Sequence, residues 1–192
     1  MLTEKLILAS KSPRRSELLR AAGWSFEAVP ADIDETLRDN ETPANYVKRL
    51  AVEKAQAVAA RVSTGLILGA DTTVVIDGHV LGQPTDDEDA RRMLKLLNGT
   101  WHEVLTGVAL VRAGQAGNAV SDYETTRVKF SQISDEEIDW YVSTGEPRGK
   151  AGAYGIQGRA SIFIEEIQGD YFNIVGLPLR LVYKLSRKID VQ

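Results

Sequence analysis

The chain has 192 residues, no cysteine and two histidines, His79 and His102, which excludes disulfides, thiolate metal sites, iron–sulfur clusters and thiol nucleophiles. Its 23 basic and 27 acidic side chains leave a formal charge of −4, which argues against a general nucleic-acid or anionic-membrane surface but not against a local site for a small anion. The length suits one domain, or two lobes sharing a core, and the chemistry is left to carboxylates, hydroxyls, lysines and arginines.

At the N-terminus, Leu6 to Ala9 is an apolar run too short for a signal or membrane segment, so a soluble cytoplasmic protein is expected. Lys5 to Ser10 reads as a strand buried on both faces. Ser12 and Pro13 supply an N-cap and a first-turn proline for a helix that Gly23 closes. The loop Ser10-Lys11-Ser12-Pro13-Arg14-Arg15 sets cations at the helix end where the dipole disfavours them, unless an anion such as phosphate arrives to neutralise both. The plainer reading is a Ser12 cap with two solvated arginines.

Ser25 to Val29 alternates like a strand, and the acidic stretch Asp32 to Glu35 leads through Thr42-Pro43 into the longest helix, ending near Val62. Val47, Leu50, Ala51, Val58 and Val62 form one apolar stripe on that helix, and Lys54 falls inside it. A buried lysine needs a partner, so Lys54 either snorkels or reaches into a polar cleft. Leu66 to Ile76 is β-rich but interrupted by Asp71, which is either a hydrogen-bonded turn aspartate or a carboxylate that holds Mg²⁺ or activates a water. Gly69 beside it suggests a close backbone approach. Asp77-Gly78 reads as a hairpin turn before Val80 and Leu81.

Thr85 and Glu88 have capping-box spacing for a helix that stops at Asn98-Gly99, and the acidic run Asp86 to Asp89 suits its first turn better than a metal. Strands are predicted at Trp101 to Val111 and Val120 to Ser131. Ser134 and Glu137 form a second capping box for a helix ending at Gly145. Lys150 to Gly158 holds three glycines spaced by threes, which would let backbone approach a ligand but match neither a dinucleotide fingerprint nor a P-loop. Ser161 to Ile167 and Tyr171 to Val175 read as a hairpin across Gln168-Gly169-Asp170, and a last helix starts around Pro178. Hairpins mixed with crossovers imply an α/β protein with a mixed sheet. His79 and His102 show no ligand spacing and are assigned structural or surface roles.

Leu6-Ile7-Leu8-Ala9-Ser10 with Ser12-Pro13-Arg14-Arg15, then Glu53-Lys54-Ala55, Gly69-Ala70-Asp71-Thr72, Lys150 to Gly158 and Val175-Gly176-Leu177-Pro178-Leu179, resemble the Maf family in order and over nearly the whole chain. The resemblance implies a house-cleaning nucleoside triphosphate pyrophosphatase dependent on Mg²⁺ or Mn²⁺. It also implies an inosine-triphosphatase-like fold: one domain over residues 1–192, with a long, strongly twisted mixed sheet flanked by helices, two lobes around a deep cleft, and homodimeric assembly. Within the family, Arg14, Thr72 and Gln157 look like the branch that takes dTTP and UTP, whereas the 7-methyl-GTP branch carries Trp, Gln and Glu there. Residue by residue, the resemblance makes Asp71 the proton acceptor, Lys54 the helix lysine and Glu35 the acidic residue after the second strand; the expected mechanism sets the divalent cation on Glu35 and Asp71, with either of the two open as the water's base. Ser10, Arg14 and Arg15 fall on the phosphate-binding loop. One departure is Gln83, where the family has a lysine before proline; it keeps a hydrogen-bond donor but removes a positive charge. Alternative readings are a nucleotide-sensing regulator of cell division without turnover, and an enzyme for non-standard purine triphosphates.

Overall fold

The computed structural model describes residues 4–115 and 117–189. Leu6-Ile7-Leu8, buried throughout, form β1 (Leu6–Leu8), which pairs in parallel with β2 (Phe26–Ala28) and with β3 (Leu66–Ile76). Parallel neighbours need crossovers, and α1 (Pro13–Ala21) and α2 (Pro43–Ala59) provide them. Asp77 and Gly78 both take positive φ, 50° and 78°, as the predicted two-residue turn requires. They lead into the short antiparallel partner of β3, β4 (His79–Leu81). After α3 (Asp87–Leu97) come the long strands β5 (Trp101–Arg112) and β6 (Val120–Phe130), then α4 (Asp135–Ser143) and β7 (Ile164–Gln168), which pairs antiparallel with β6. The seven-stranded sheet runs β2-β1-β3-β5-β6-β7, with β4 attached to β3. It is mixed and flanked by helices, as expected.

The chain divides into two compact units. One takes the chain up to Asp71, Thr106–Glu124 and the chain from Gly176; the other takes Thr72–Leu105 and Thr125–Val175. The first has a core rich in small residues, with Ala9, Ala51, Ala55, Ala59 and Ala109 among Ile7, Val58, Ile67 and Val111. Small side chains let a helix lie close on a sheet, and two glycines bring α2 closer still. A Cβ built on Gly69 would stand 2.1 Å from the Ala51 carbonyl oxygen, and one built on Gly107 would stand 2.2 Å from that of Val47. The close approach read at Gly69 is therefore to α2 and not to a ligand. Val47 and Ala51 are one helical turn apart, so adjacent strands each receive one carbonyl of the same helix.

The second unit packs Phe130, Tyr141, Tyr154 and Phe163 with the apolar face of α3. His102 lies in this aromatic core, edge-on to Phe130 and Tyr154, with Nε2 2.8 Å from the Tyr154 hydroxyl. Its Nδ1 is buried with no hydrogen-bond partner among the described residues. Burial lowers its pKa to about 4, below the unfolded value of about 6.5. The folded pKa is depressed, so the stability this group contributes is complete above about pH 6.5 and is lost as pH falls towards about 4, roughly 3 kcal/mol in all. Urea unfolding of wild type and His102→Gln at pH 7 and pH 4.5 should show the smaller acid loss in the variant. Parallel losses would mean that another group titrates.

Local signals were read well at α4, where Ser134 and Glu137 form the reciprocal capping box. At α3 the cap lies one residue later than predicted. Asp86 accepts from the Asp89 N–H at 2.8 Å, while Asp89 accepts from Thr85 N–H at 3.1 Å. The hairpin predicted across Gln168-Gly169-Asp170 is not formed. Tyr171–Val175 is a helix, α5, started by the Asp170 carboxylate accepting from Phe172 N–H at 2.8 Å. Buried Asn173 ties that helix to the Val104 carbonyl and the Thr126 hydroxyl, so β7 pairs with β6 instead. Residues 159–163 form a 3-10 turn rather than the strand start expected from Ser161, and α6 (Leu179–Ile189) follows Pro178 as predicted. No helix among the described residues is long and apolar enough to cross a membrane.

Candidate active site

Six of the nine predicted site residues, Ser10, Arg14, Arg15, Glu35, Lys54 and Asp71, belong to the first unit. Lys54, on the sheet-facing side of α2, is 9% exposed and donates to Asp71 Oδ1 at 2.6 Å. The same ammonium is 2.8 Å from Glu35 Oε1. The lysine in the apolar stripe therefore does not snorkel; it carries its charge to a buried carboxylate. Asp71 closes the first unit's portion of β3 and is 7% exposed. Burial raises its pKa above the ordinary aspartate range, opposed by the nearby charges of Lys54 and Arg15. A carboxylate with that balance is a stronger base than a solvated one, with two cations beside it that favour its charged form.

The loop before α1 supplies the other cations. Ser12 occupies the N-cap position but makes no side-chain cap; its N–H donates instead to Ser10 Oγ at 3.1 Å. Ser10 Oγ also accepts from Arg15 Nη1 at 3.1 Å, and Arg15 Nε donates to the Gly176 carbonyl at 2.8 Å. Arg15 is thus buried and aimed, not waving in solvent, and burial lowers its pKa, with Asp71 pulling the other way. Arg14 is half-buried on the same turn. The first turns of α3 and α4 hold three acidic residues each, whereas that of α1 holds none. A helix start with two arginines and no carboxylate is suited to an anion.

Glu35 is half exposed and lies in an irregular segment that α2 holds in place. Tyr46 Oη donates to the Glu35 carbonyl at 2.9 Å, and Arg49 Nη2 donates to the Thr36 carbonyl at 3.1 Å. Burial, with the carboxylates of Asp71 and Glu35 near it, pushes the Tyr46 phenol up to about 12. Tyr46 and Arg49 carry no sequence signal of this anchoring, and Gly176 belongs to the quoted Val175 to Leu179 motif without a signal that its carbonyl meets Arg15. Only the Arg49–Glu53 pair, four apart on one helix, follows a local rule.

Glu35 and Asp71 present hard carboxylate oxygens to one shared cation, the Lys54 ammonium, so the position accepts positive charge. Among the described residues no group of three or more His, Cys, Asp or Glu gathers for a metal. Hard carboxylate oxygens are the ligand type that suits a divalent cation such as Mg²⁺ or Mn²⁺, and Glu35 and Asp71 are the residues here that would supply them.

The remaining predicted residues belong to the second unit. Thr72 is half-buried, and Gln83 and Gln157 are exposed. The glycine-rich loop around Gln157 uses its glycines for its own packing. A Cβ on Gly152 would meet Val74, one on Gly155 the Lys150 stem, and one on Gly158 the Glu146 carboxylate at 2.1 Å. Glu146 also accepts from Tyr141 Oη and from Arg159 N–H, and the Lys150 ammonium donates to the Glu146 carbonyl. These contacts tie the loop to its surroundings, with buried Ala153 at a φ of 61°, and Gln157 is left exposed.

A family model described as Maf-like protein matches residues 5–189. A curated relative from Koribacter versatilis, named dTTP/UTP pyrophosphatase, is 52% identical over 186 residues, covering 97% of this chain and 95% of its own. Relatives of the same name from Symbiobacterium thermophilum and Bacillus cereus are 53% identical over 185 residues and 48% over 189, covering 96% and 97% of this chain and 94% and 97% of theirs. Among solved structures, the Staphylococcus aureus Ham1 protein aligns with a TM-score of 0.48 at 13% identity, over 66% of this chain and 71% of that one.

Proposed function

Since the chain belongs to the Maf-like family, we propose that it is a nucleoside triphosphate pyrophosphatase acting on dTTP and UTP. The observation that carries the reading is the buried Lys54–Asp71 pair beside an Arg15 that Ser10 and Gly176 hold at a helix start. The triphosphate lies against the Ser10 to Arg15 loop and its helix end. Asp71 takes the proton of a water whose oxygen attacks the α-phosphorus in line, the bond to the bridging oxygen of the β-phosphate breaks, and pyrophosphate leaves with that oxygen. Arg15 and Lys54 stabilise the charge that develops on the phosphoryl oxygens. Glu35 and Asp71 would hold the divalent cation, which when bound neutralises phosphate charge.

Arg14, Thr72 and Gln157 read the pyrimidine base in this proposal, and Gln83 donates a hydrogen bond to phosphate. The family resemblance also underlies the remaining elements of the reading: a cytoplasmic homodimer whose partners are small nucleotides and not nucleic acid or membrane. A single domain over the whole chain is supported by β3, β5 and β6, each of which passes from one unit into the other without a break. The test is a panel of triphosphates with Mg²⁺ or Mn²⁺, scored for pyrophosphate. Release from dTTP and UTP, with little from 7-methyl-GTP or purine triphosphates, is expected. Tight binding of dTTP without release would replace the enzyme by the nucleotide sensor.

A further inference from the structure

Glu35 faces a problem that Asp71 does not. Asp71 sits within a strand whose backbone the sheet fixes, but residues 29–42 form neither strand nor helix, and Glu35 is exposed in the middle of them. A carboxylate on such a segment holds a cation or a lysine well only if something fixes its backbone.

Arg49 provides the means. It stands on α2 five residues before Lys54, with only 12% of its side chain exposed, against a Glu41 side chain that is 9% exposed. Nε donates to Glu41 Oε1 at 2.6 Å and Nη2 to Oε2 at 2.8 Å, the two-pronged contact that fixes the plane of a guanidinium. With the plane fixed, Nη2 also reaches the Thr36 carbonyl at 3.1 Å and Nη1 reaches Glu53 Oε2 at 3.1 Å. The Arg49 guanidinium stacks near the Tyr46 ring, 5.6 Å from its centroid, and Tyr46 holds the Glu35 carbonyl. Two consecutive carbonyls, those of Glu35 and Thr36, are thus pinned to the helix that carries Lys54, and Glu41 closes the far end of the segment.

We propose that Arg49, braced by Glu41, is a positioning residue that fixes Glu35 opposite Lys54 and Asp71. It touches none of the reacting atoms in the proposed reaction and acts through the backbone of 35 and 36. A lysine cannot replace it, because one ammonium cannot grip Glu41 with two prongs and hold both Thr36 and Glu53. The proposal rests on the functional reading above for what Glu35 does, and on this geometry alone for how Glu35 is held.

The test uses the full chain with Arg49→Lys, and with Glu41→Gln, which loosens the same clamp from its other side without removing a helix residue. Amide hydrogen exchange over residues 32–42 should quicken in both variants while the strands of the first unit stay protected. Turnover of UTP should fall roughly 10- to 100-fold, the usual cost of losing a residue that orients a metal-binding group, and the loss should appear in kcat with KM little changed. In a Glu35→Gln background Arg49→Lys should cost almost nothing more, since both act through one group. Unchanged exchange over 32–42 in both variants, or a full kcat penalty persisting in that background, overturns the proposal. If wild type releases no pyrophosphate from UTP the functional reading fails, and the exchange measurement, which needs no turnover, still decides the clamp.

Discussion

Asp71→Asn should reduce pyrophosphate release from UTP by roughly 10²-fold or more, the range associated with loss of a general base, while leaving the protein folded. The amide keeps the shape of the carboxylate and can still accept from Lys54, so the 2.6 Å contact has a substitute. What disappears is the proposed proton acceptor. Burial makes the Asp71 carboxylate more basic than a solvated one. Glu35→Gln provides the contrast, because Glu35 is half exposed and its proposed part is to hold a cation. Its loss of rate should be partly restored by raising Mn²⁺, whereas that of Asp71→Asn should not. Turnover near wild type for Asp71→Asn, measured by single-turnover pyrophosphate release, would show that the water is activated elsewhere.

Gly69→Ala should strongly destabilise the first unit. The added carbon would stand 2.1 Å from the Ala51 carbonyl oxygen and 2.9 Å from Ala55 N, and both are helix backbone that cannot rotate aside. α2 must lift or slide, and the cost is about 3 kcal/mol, the upper part of the range for overpacking a core. Lys54 lies one turn along from Ala51 and moves with the helix, so turnover should fall even in the fraction that remains folded. Urea unfolding gives the first quantity and active-site-normalised kcat the second. A stability and kcat both within error of wild type would mean that α2 does not rest on β3 at this point.

What could be read from the sequence, and what could not, divides by the range of the interaction. Lys54 in an apolar stripe and Asp71 in an apolar strand each break a short-range pattern, which marks them as needing a partner, but that each is the other's partner is a contact across 17 positions that only the fold reveals. The Ser134 and Glu137 box is local and was found; the α3 cap slipped by one because Thr85 and Asp86 both have capping side chains and only the carboxylate's reach decides. Tyr171 to Val175 alternates well enough for a strand, but the buried Asn173 amide bonds to Val104 and Thr126, partners that no local pattern in the sequence reveals. The glycines of the 150–158 loop suggested room for a ligand, yet the space is taken by Val74, Lys150 and Glu146. Arg49 looks like one more solvated helix arginine until Glu41 and Thr36 fold back onto it.

The bond from Arg15 to the Gly176 carbonyl spans 161 positions of chain. At a synthesis rate of about 5–20 residues per second, the ribosome needs on the order of ten seconds or more between making the arginine and making its anchor. The loop proposed to grip phosphate is therefore fastened only after the segment that carries Gly176 has been made. Until residue 176 has been made, a chain holds Ser10, Arg15, Lys54 and Asp71 without the carbonyl that aims the Arg15 guanidinium, so the proposed phosphate grip waits for a contact made far along the chain.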